Sequence, residues 1–483
     1  MSPGGAAGGA GGNGSPGTGA STGTASAGPI TVPEVPSATP TGESPEGGAP
    51  PGPAAAPSPT AAGPSAGGPA HGGPATAEPW WYRAAHAFTE ANPFTLTVLA
   101  IFSALVLGGV LIDVTSPHVL HAWSQIGSHP GRALSLTFTT VGDAYAAIFT
   151  GSIFSPRQLA HSIATGKGWS VTLTPLSETT VAATPLILTG IGVALGFRTG
   201  VFNIGGQGQL IAGALAALYV GFELPHLTIW LHLPLVVLAG AVGGAFAGFI
   251  PGILKARTGA HEVIVTIMLN YCFLYLLEWL LTVQPFQQPN QTNAISRTMP
   301  GTARMPHLPG GLRANLSFVL ALAVVALVAW LLRRSTVGFS FRVIGFNTQA
   351  GRTAGMSPGM ITTLVLTLSG LCCGLAGMSM LSGTDFFLSY PYGGSNGFNG
   401  ITVALLGRNK PVGVVFGALL FAALQVGGQN MQADTGIPID LAQVIQATIV
   451  FFIATPMLVR ELFRLRPARA QAITVSSTKG WGG

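Results

Sequence analysis

The chain has 483 residues and a formal net charge of +6, with 7% of its residues charged and 48% hydrophobic. The cations sit in short loops between apolar runs rather than along one face, which excludes a nucleic-acid partner. Cys272, Cys372 and Cys373 lie inside apolar runs and two are neighbours, so neither a disulfide framework nor a zinc site is expected; all three read as small buried side chains.

Residues 1–78 are almost wholly Gly, Ala, Pro, Ser and Thr, and Glu34, Glu43, Glu46 and Glu78 are their only charges. Such a segment buries too little apolar surface to offset its ordering entropy, so it is expected to be a disordered tail. It lacks the cationic start and apolar middle of a signal peptide. Trp80, Trp81 and Tyr82 follow, and amphipathic rings of this kind settle at a membrane interface.

From about Phe94 the chain becomes a succession of apolar runs. Each is about twenty residues long, enough at about 1.5 Å per residue to cross a hydrocarbon core of about 30 Å. The expected fold is all-α: a polytopic helical membrane domain over 79–466, then a cytoplasmic tail over 467–483. Ten spans are predicted near 94–114, 174–197, 203–222, 229–254, 262–283, 315–333, 359–382, 397–407, 412–431 and 438–459. The eighth is too short to cross alone. It is either a half-helix or extends back into the glycine-rich stretch from Tyr392 to Gly397. With the N-terminus inside, fifteen Lys and Arg fall on the cytoplasmic side and six outside, a positive-inside bias that places both termini in the cytoplasm. Residues 115–173 and 284–314 become external connections, and an amphipathic stretch from Leu134 to Ala164 is expected to lie along the outer face.

The stretch from Gly196 to Gly213 puts Arg198, the amides Asn203, Gln207 and Gln209 and a series of glycines between two apolar segments. Lipid cannot satisfy such groups. They persist where they line a cavity or pack against protein, so the stretch reads as part of a translocation path or its gate, or as a tight turn between two helices. The two readings are compatible. The segment Gly190–Arg198 repeats as Gly400–Arg408, with six of nine positions identical, and each copy is followed by a glycine-containing run into another span. Internal repeats of this kind build the central pathway of many transporters.

No phosphate-binding loop, dinucleotide fingerprint, His-Glu-x-x-His pair, nucleophile elbow or Cys-x-x-Cys motif is present, so no catalytic residue, cofactor or metal site is expected. The candidate carboxylates are Glu178 near the outer end of the second span and Glu262 and Glu278 near the inner and outer ends of the fifth, and none sits at a midplane as a coupling-ion site requires. Amides are better placed: Asn203, Gln207, Gln209, Asn270, Gln425, Gln429, Gln443 and Gln446. A path lined by amides and hydroxyls suits a neutral, hydrogen-bonding solute, although any one of these amides can simply join helices. Between Ser340 and Gly359, glycines flank a stretch of short helical length, which reads as a helix on the membrane surface, either a docking site for a partner or, as composition alone favours, a connection.

Four blocks then become informative together: residues 196–209, 261–271, 345–356 and 397–408. In this order they resemble the permease subunits of bacterial ABC importers, in the branched-chain amino acid and simple-sugar permease family, and most of all its nucleoside permeases. The resemblance runs from about 94 to 463. It implies a membrane subunit that receives solute from an extracytoplasmic binding protein, often a lipoprotein, and is driven by separate ATPase subunits. It also implies a second, different permease, and alternating access across the plasma membrane. On this likeness Gly345 to Met356 is similar to the coupling helix that seats on the ATPase, with Arg342, Gly345, Asn347, Ala350, Arg352 and Gly355 as its residues. Asn203, Gln207, Gln209, Asn270 and Asn399 are the expected path or gate residues, and Phe202, Tyr271 and Phe398 are candidates for stacking on a base. Two positions depart from the pattern. Gln207 stands where the family usually carries Glu, and Gly351 replaces a more usual Ala or Ser, weakening its helix by about 0.5–1 kcal/mol. A simple sugar such as ribose is the alternative solute, and an ion-coupled secondary transporter is the alternative class.

Overall fold

The computed structural model describes residues 93–464. The expected disordered tail, the aromatic triplet at 80–82 and the C-terminal tail lie outside the described residues. Inside them the chain is helical, with isolated bridges such as Gln287 to Ser296 in place of strands.

The chain begins with α1 (Pro93–Thr115), α2 (Pro117–Ser124), α3 (Pro130–Ser152) and α4 (Pro156–Thr165). It continues with α5 (Trp169–Arg198), α6 (Gly206–Glu223), α7 (Ile229–Thr258) and α8 (Glu262–Leu280). After a long connection come α9 (Leu316–Arg334), α10 (Thr336–Phe346), α11 (Thr348–Thr353) and α12 (Pro358–Met380). The last four are α13 (Asn396–Leu406), α14 (Pro411–Thr435), α15 (Asp440–Ala454) and α16 (Pro456–Leu462).

Each of the ten expected spans is helical, but they are not equivalent. Among the described residues seven helices are long and apolar enough to cross a bilayer, namely α1, α5, α7, α8, α9, α12 with its extension to Asp385, and α14. An eighth candidate is α15 with α16, bent by 90° at the break between them. The third expected span, α6, is diluted by Gln207, Gln209 and Glu223. The eighth, α13, is a half-helix of 11 residues. Helices of this kind tolerate polar groups and truncation because protein, not lipid, surrounds them. The amphipathic stretch expected on the outer face forms α3 and α4, and α3 is fastened to the bundle. Gly427 of α14 packs under Ile148, and the Asn430 side chain donates to the Gly151 carbonyl.

The bundle is organised around α12, whose backbone is gripped by glycine contacts on two sides. A Cβ at Gly244 of α7 would run into the Gly370 carbonyl, and one at Gly374 of α12 into the Gly240 carbonyl. Gly240, Gly244 and Gly248 recur every four residues, so they form one stripe along α7. On the other flank, a Cβ at Gly213 of α6 would collide with Gly374 and one at Gly377 with the Leu210 carbonyl. Small residues permit this approach, which gains the dispersion contacts that hold helices together where lipid offers no hydrophobic driving force. Gly374→Leu is therefore expected to cost at least about 1–3 kcal/mol. A lower thermal midpoint of the detergent-solubilised protein would show it, and an unchanged midpoint would refute the zipper.

The sequence repeat is also a packing contact. A Cβ at Gly190 of α5 would lie 2.9 Å from a Val403 methyl of α13, and one at Gly400 of α13 would lie 2.7 Å from Thr189 Cβ of α5. Gly190 and Gly400 are equivalent positions of the two copies, and each opens a groove on its own helix that the facing helix fills. Of the cysteines, Cys372 and Cys373 are buried as expected, whereas Cys272 is exposed. It sits beside Tyr271 on the outward side of α8, a position that apolar surroundings in sequence do not distinguish from a core one.

The connection between α8 and α9 is fixed by side chains. Asn315 caps α9 by accepting from the Ser317 amide and donates to the Gly383 carbonyl at 2.9 Å. Ser296 accepts from the Leu388 amide, and Ser382 donates to the Ala303 carbonyl. The Ser382 bond anchors the connection to the widened turn Leu381–Asp385 that ends α12, and the Ser296 bond to the segment just after it.

Candidate functional site

The break between α5 and α6 is a closed network of amides. Asn203 Nδ2 donates to Gln209 Oε1 at 2.8 Å and to Ser369 Oγ at 2.7 Å, while Asn203 Oδ1 accepts from Gln209 Nε2 and from the Gly205 amide. Ser369 in turn donates to the Gly192 carbonyl, which ties α12 to α5. Asn270 of α8 accepts from the Gly208 amide at 2.8 Å and donates to the Ile204 carbonyl at 3.0 Å, so it supports the opened start of α6. Gln207 reaches the other way. Its Nε2 donates to the Tyr392 carbonyl at 3.0 Å and its Oε1 accepts from the Gly397 amide at 2.9 Å, at the beginning of α13.

Asn203, Gln207, Gln209 and Asn270 are all buried. Their hydrogen bonds run to protein groups, as buried amides require. The network works as a joint: it fixes where α6 starts, and through Gln207 it fixes α13. Asn399, the fifth expected path residue, lies elsewhere. Ser395, Asn399 and Thr402 recur at spacings of four and three, so they share one face of α13. That face meets Gln425 of α14 and Gln443 and Gln446 of α15 around a cavity of about 280 Å³. Gln446 Nε2 is anchored on the Phe421 carbonyl, and Asn399 Nδ2 on Ser395 Oγ. The wall carries four amides and two hydroxyls and no ionised group.

Of the wall amides, Gln425 and Gln443 are exposed on the surface of the single chain and Asn399 is partly exposed; Gln429, four residues beyond Gln425 on α14, is exposed as well. They stand on otherwise apolar helices. Lipid cannot cover such a face, so it borders water or protein. The sequence names these amides one by one; Ser369, Ser395 and Thr402 were not singled out. The spacing of Ser395, Asn399 and Thr402 was the available signal.

The three stacking candidates are dispersed. Phe398 is exposed on α13 next to Asn399. Phe202 is exposed beside the ion pair of Lys255 with Glu262, at 2.6 Å, and its ring meets Phe197 edge-on. Tyr271 belongs to an outward apolar stripe of α8 with Ile264, Met268, Tyr275 and Trp279. Two of the carboxylates weighed as ion sites are engaged, Glu262 with Lys255 and Glu178 with Arg313.

The segment from Arg342 to Gly355 forms the end of α10 and all of α11. Asn347 opens α11, its Oδ1 accepting from the Gln349 and Ala350 amides. Gly355 closes it in the left-handed region at φ 79°, with the Gly355 amide on the Arg352 carbonyl and the Met356 amide on the Gly351 carbonyl. This paired arrangement satisfies the last carbonyls of the helix. Gly351 is buried under Ile344, whose terminal methyl would have to shift to admit a Cβ, so the glycine lets α11 pack closely on α10. Arg342, Ala350 and Arg352 are exposed, and Phe346 is 95% exposed between the two helices. Gly345 is itself exposed, but a Cβ there would meet the backbone of Arg198 and Thr199.

A bundle of membrane-length helices, interrupted by a half-helix, walled by amides on an outward face and carrying a capped surface helix, is the architecture of a multi-pass membrane permease. Residues 176–454 match the family described as "Branched-chain amino acid transport system / permease component", and the chain belongs to that family. It is 38% identical over 291 residues to the guanosine ABC transporter permease protein NupP of Bacillus subtilis, covering 59% of this chain and 82% of that one. It is 36% identical over 310 residues to the nucleoside ABC transporter permease protein NupB of Lactococcus lactis, covering 62% and 84%. Against the glucose ABC transporter permease protein TsgB13 of Haloferax volcanii it is 36% identical over 290 residues, covering 58% and 76%.

Proposed function

We propose that this chain is the pore-forming permease of an ABC importer that carries a nucleoside-type solute across the plasma membrane by alternating access. The observation that carries the solute class is the amide and hydroxyl wall of α13, α14 and α15, supported by the likeness to permeases named for guanosine and nucleosides. Amides both donate and accept, so they match the mixed edges of a nucleobase and the hydroxyls of a ribose, and they offer no charge to bind an ion. Phe398, exposed beside Asn399, is our candidate for stacking on a base.

The exposed amides also argue for a partner. A second permease facing this wall encloses the path and removes Gln425, Gln429 and Gln443 from lipid. Separate ATPase subunits supply the energy and engage α10 and α11 through Arg342, Ala350 and Arg352. An extracytoplasmic binding protein delivers solute at the opposite end. In this orientation both termini are cytoplasmic. The tail at 1–78 and the C-terminal residues from 467 stand outside the permease domain.

Gln443→Leu is expected to raise the KM for a nucleoside about tenfold, the equivalent of one lost hydrogen bond, with the assembled amount of transporter unchanged. Competition separates the solute classes. Unlabelled nucleosides at equal concentration should displace labelled nucleoside uptake, and ribose or glucose should not. Displacement by sugar alone would transfer the assignment to sugars, the reading that the glucose permease of Haloferax volcanii favours.

A further inference from the structure

We propose that Arg198 is a positioning residue that transmits movement of the Arg342–Gly355 segment to the half-helix α13, and so to its amide face; this rests on the transport reading above. Arg198 ends the first copy of the repeat. Its Nε donates to the carbonyl of Asn409, the residue that follows the second copy, at 2.7 Å. This charge-assisted bond ties the end of α5 to the end of α13 across 211 residues of sequence.

The opposite side of Arg198 meets α10. A Cβ at Gly345 would collide with the Arg198 carbonyl and lie 2.9 Å from Thr199 Cα, so these backbones touch without an intervening side chain. Arg342, one turn earlier on α10, is a like-charged neighbour of Arg198. A displacement of α10 and α11 therefore bears directly on the Arg198–Thr199 backbone. The guanidinium carries it on to Asn409.

The receiving end has the geometry of a built contact. Arg408 and Asn409 both adopt the left-handed region, at φ 51° and 55°. Asn409 Oδ1 is buried with no hydrogen-bond partner among the described residues. Backbone held in this way persists only where its surroundings fix it. Here it aims the Asn409 carbonyl at Arg198. From Asn409 the chain runs back into α13, whose face presents Asn399 and Thr402 to the polar cavity.

The test uses the complete transporter in proteoliposomes, in a chain carrying Cys272→Ser and Thr402→Cys. The rate of reaction with a water-soluble maleimide, with and without ATP, reports the exposure of α13. With Arg198 present, ATP is expected to change that rate. Arg198→Gln should retain ATP hydrolysis within about twofold while the ATP-dependent change in labelling and the solute moved per ATP fall about fivefold or more. Arg198→Lys, which can still donate to the Asn409 carbonyl, should recover most of both. Where Arg198→Gln does not assemble, Gly345→Ala presses on the same carbonyl with Arg198 in place, and the same uncoupling is expected. Unchanged labelling and stoichiometry in Arg198→Gln or Gly345→Ala, or equal losses in Arg198→Lys and Arg198→Gln, overturn the proposal. Because labelling needs no solute, failure of every nucleoside and sugar to be transported would defeat the solute assignment and leave this test standing.

Discussion

Gln207→Leu is expected to abolish solute uptake while the protein still inserts into the membrane, because it cuts the tie between α6 and the half-helix. Leucine keeps the approximate volume but leaves the Gly397 amide and the Tyr392 carbonyl without their partner. Each orphaned buried group costs about 1–3 kcal/mol, enough to release the start of α13 while the glycine-packed core persists. Gln207→Glu is the more discriminating substitution. A protonated carboxyl reproduces both bonds, donating to the Tyr392 carbonyl and accepting from the Gly397 amide. An ionised one accepts from Gly397 but repels the carbonyl. Uptake by Gln207→Glu should therefore rise as pH falls and be lost as pH rises through the pKa of the introduced group, while the unsubstituted chain keeps a flat profile at this position. Measured uptake between pH 5 and 8 decides it, and identical profiles for the two chains would show that the pair of bonds does not matter. The amide at 207 is in this sense a permanent version of the protonated acid.

The second large effect is expected at the capped surface helix. Asn347→Ala removes the acceptor for the Gln349 and Ala350 amides, at a cost of about 0.5–2 kcal/mol in helix stability. A helix of six residues has few internal bonds with which to absorb that loss. Gly355→Val adds strain by placing a β-branched residue at φ 79°. The double variant should lose most ATP-driven uptake and most solute-stimulated ATP hydrolysis together, with the thermal midpoint of the isolated permease nearly unchanged, since the core around α12 is untouched. Intact uptake would remove α11 from the coupling role. A fall in thermal midpoint of the same size as that of Gly374→Leu would show instead that the helix supports the fold.

The spans were legible because lipid imposes a stringent rule on sequence. Apolar runs of sufficient length mark helices whatever their neighbours do, and all ten expected segments are helical. The shortness of the eighth span was legible for the same reason, and it is the half-helix α13. The repeat at 190–198 and 400–408 could be seen as letters. That its two copies pack on each other, and that Arg198 reaches past Arg408 to the next carbonyl, could not.

The site was legible as an inventory of amides and not as an arrangement. Asn203, Gln207, Gln209 and Asn270 are spread over three segments, and only folding shows that they bond to protein groups in a single joint. Asn399, expected in the same group, instead shares a cavity with Gln425, Gln443 and Gln446 from two other helices. Apolar context also hid direction: Cys272 and Tyr271 sit in a hydrophobic run yet face outward, because a helix hydrophobic all round has no periodicity from which its inner side can be read. Gly351 shows a related gap: propensity marks it as a weakness in its helix, and only the fold shows that it lies under the Ile344 side chain.

The central claim is that this permease moves a nucleoside at the expense of ATP hydrolysed elsewhere in the complex. Its most direct test is the uptake of a labelled nucleoside by cells carrying the chain, with the proton gradient collapsed and ATP maintained, set beside uptake with ATP depleted and the gradient intact. The account predicts uptake in the first condition and none in the second. Uptake that disappears with the gradient and survives ATP depletion would contradict it and identify an ion-coupled transporter.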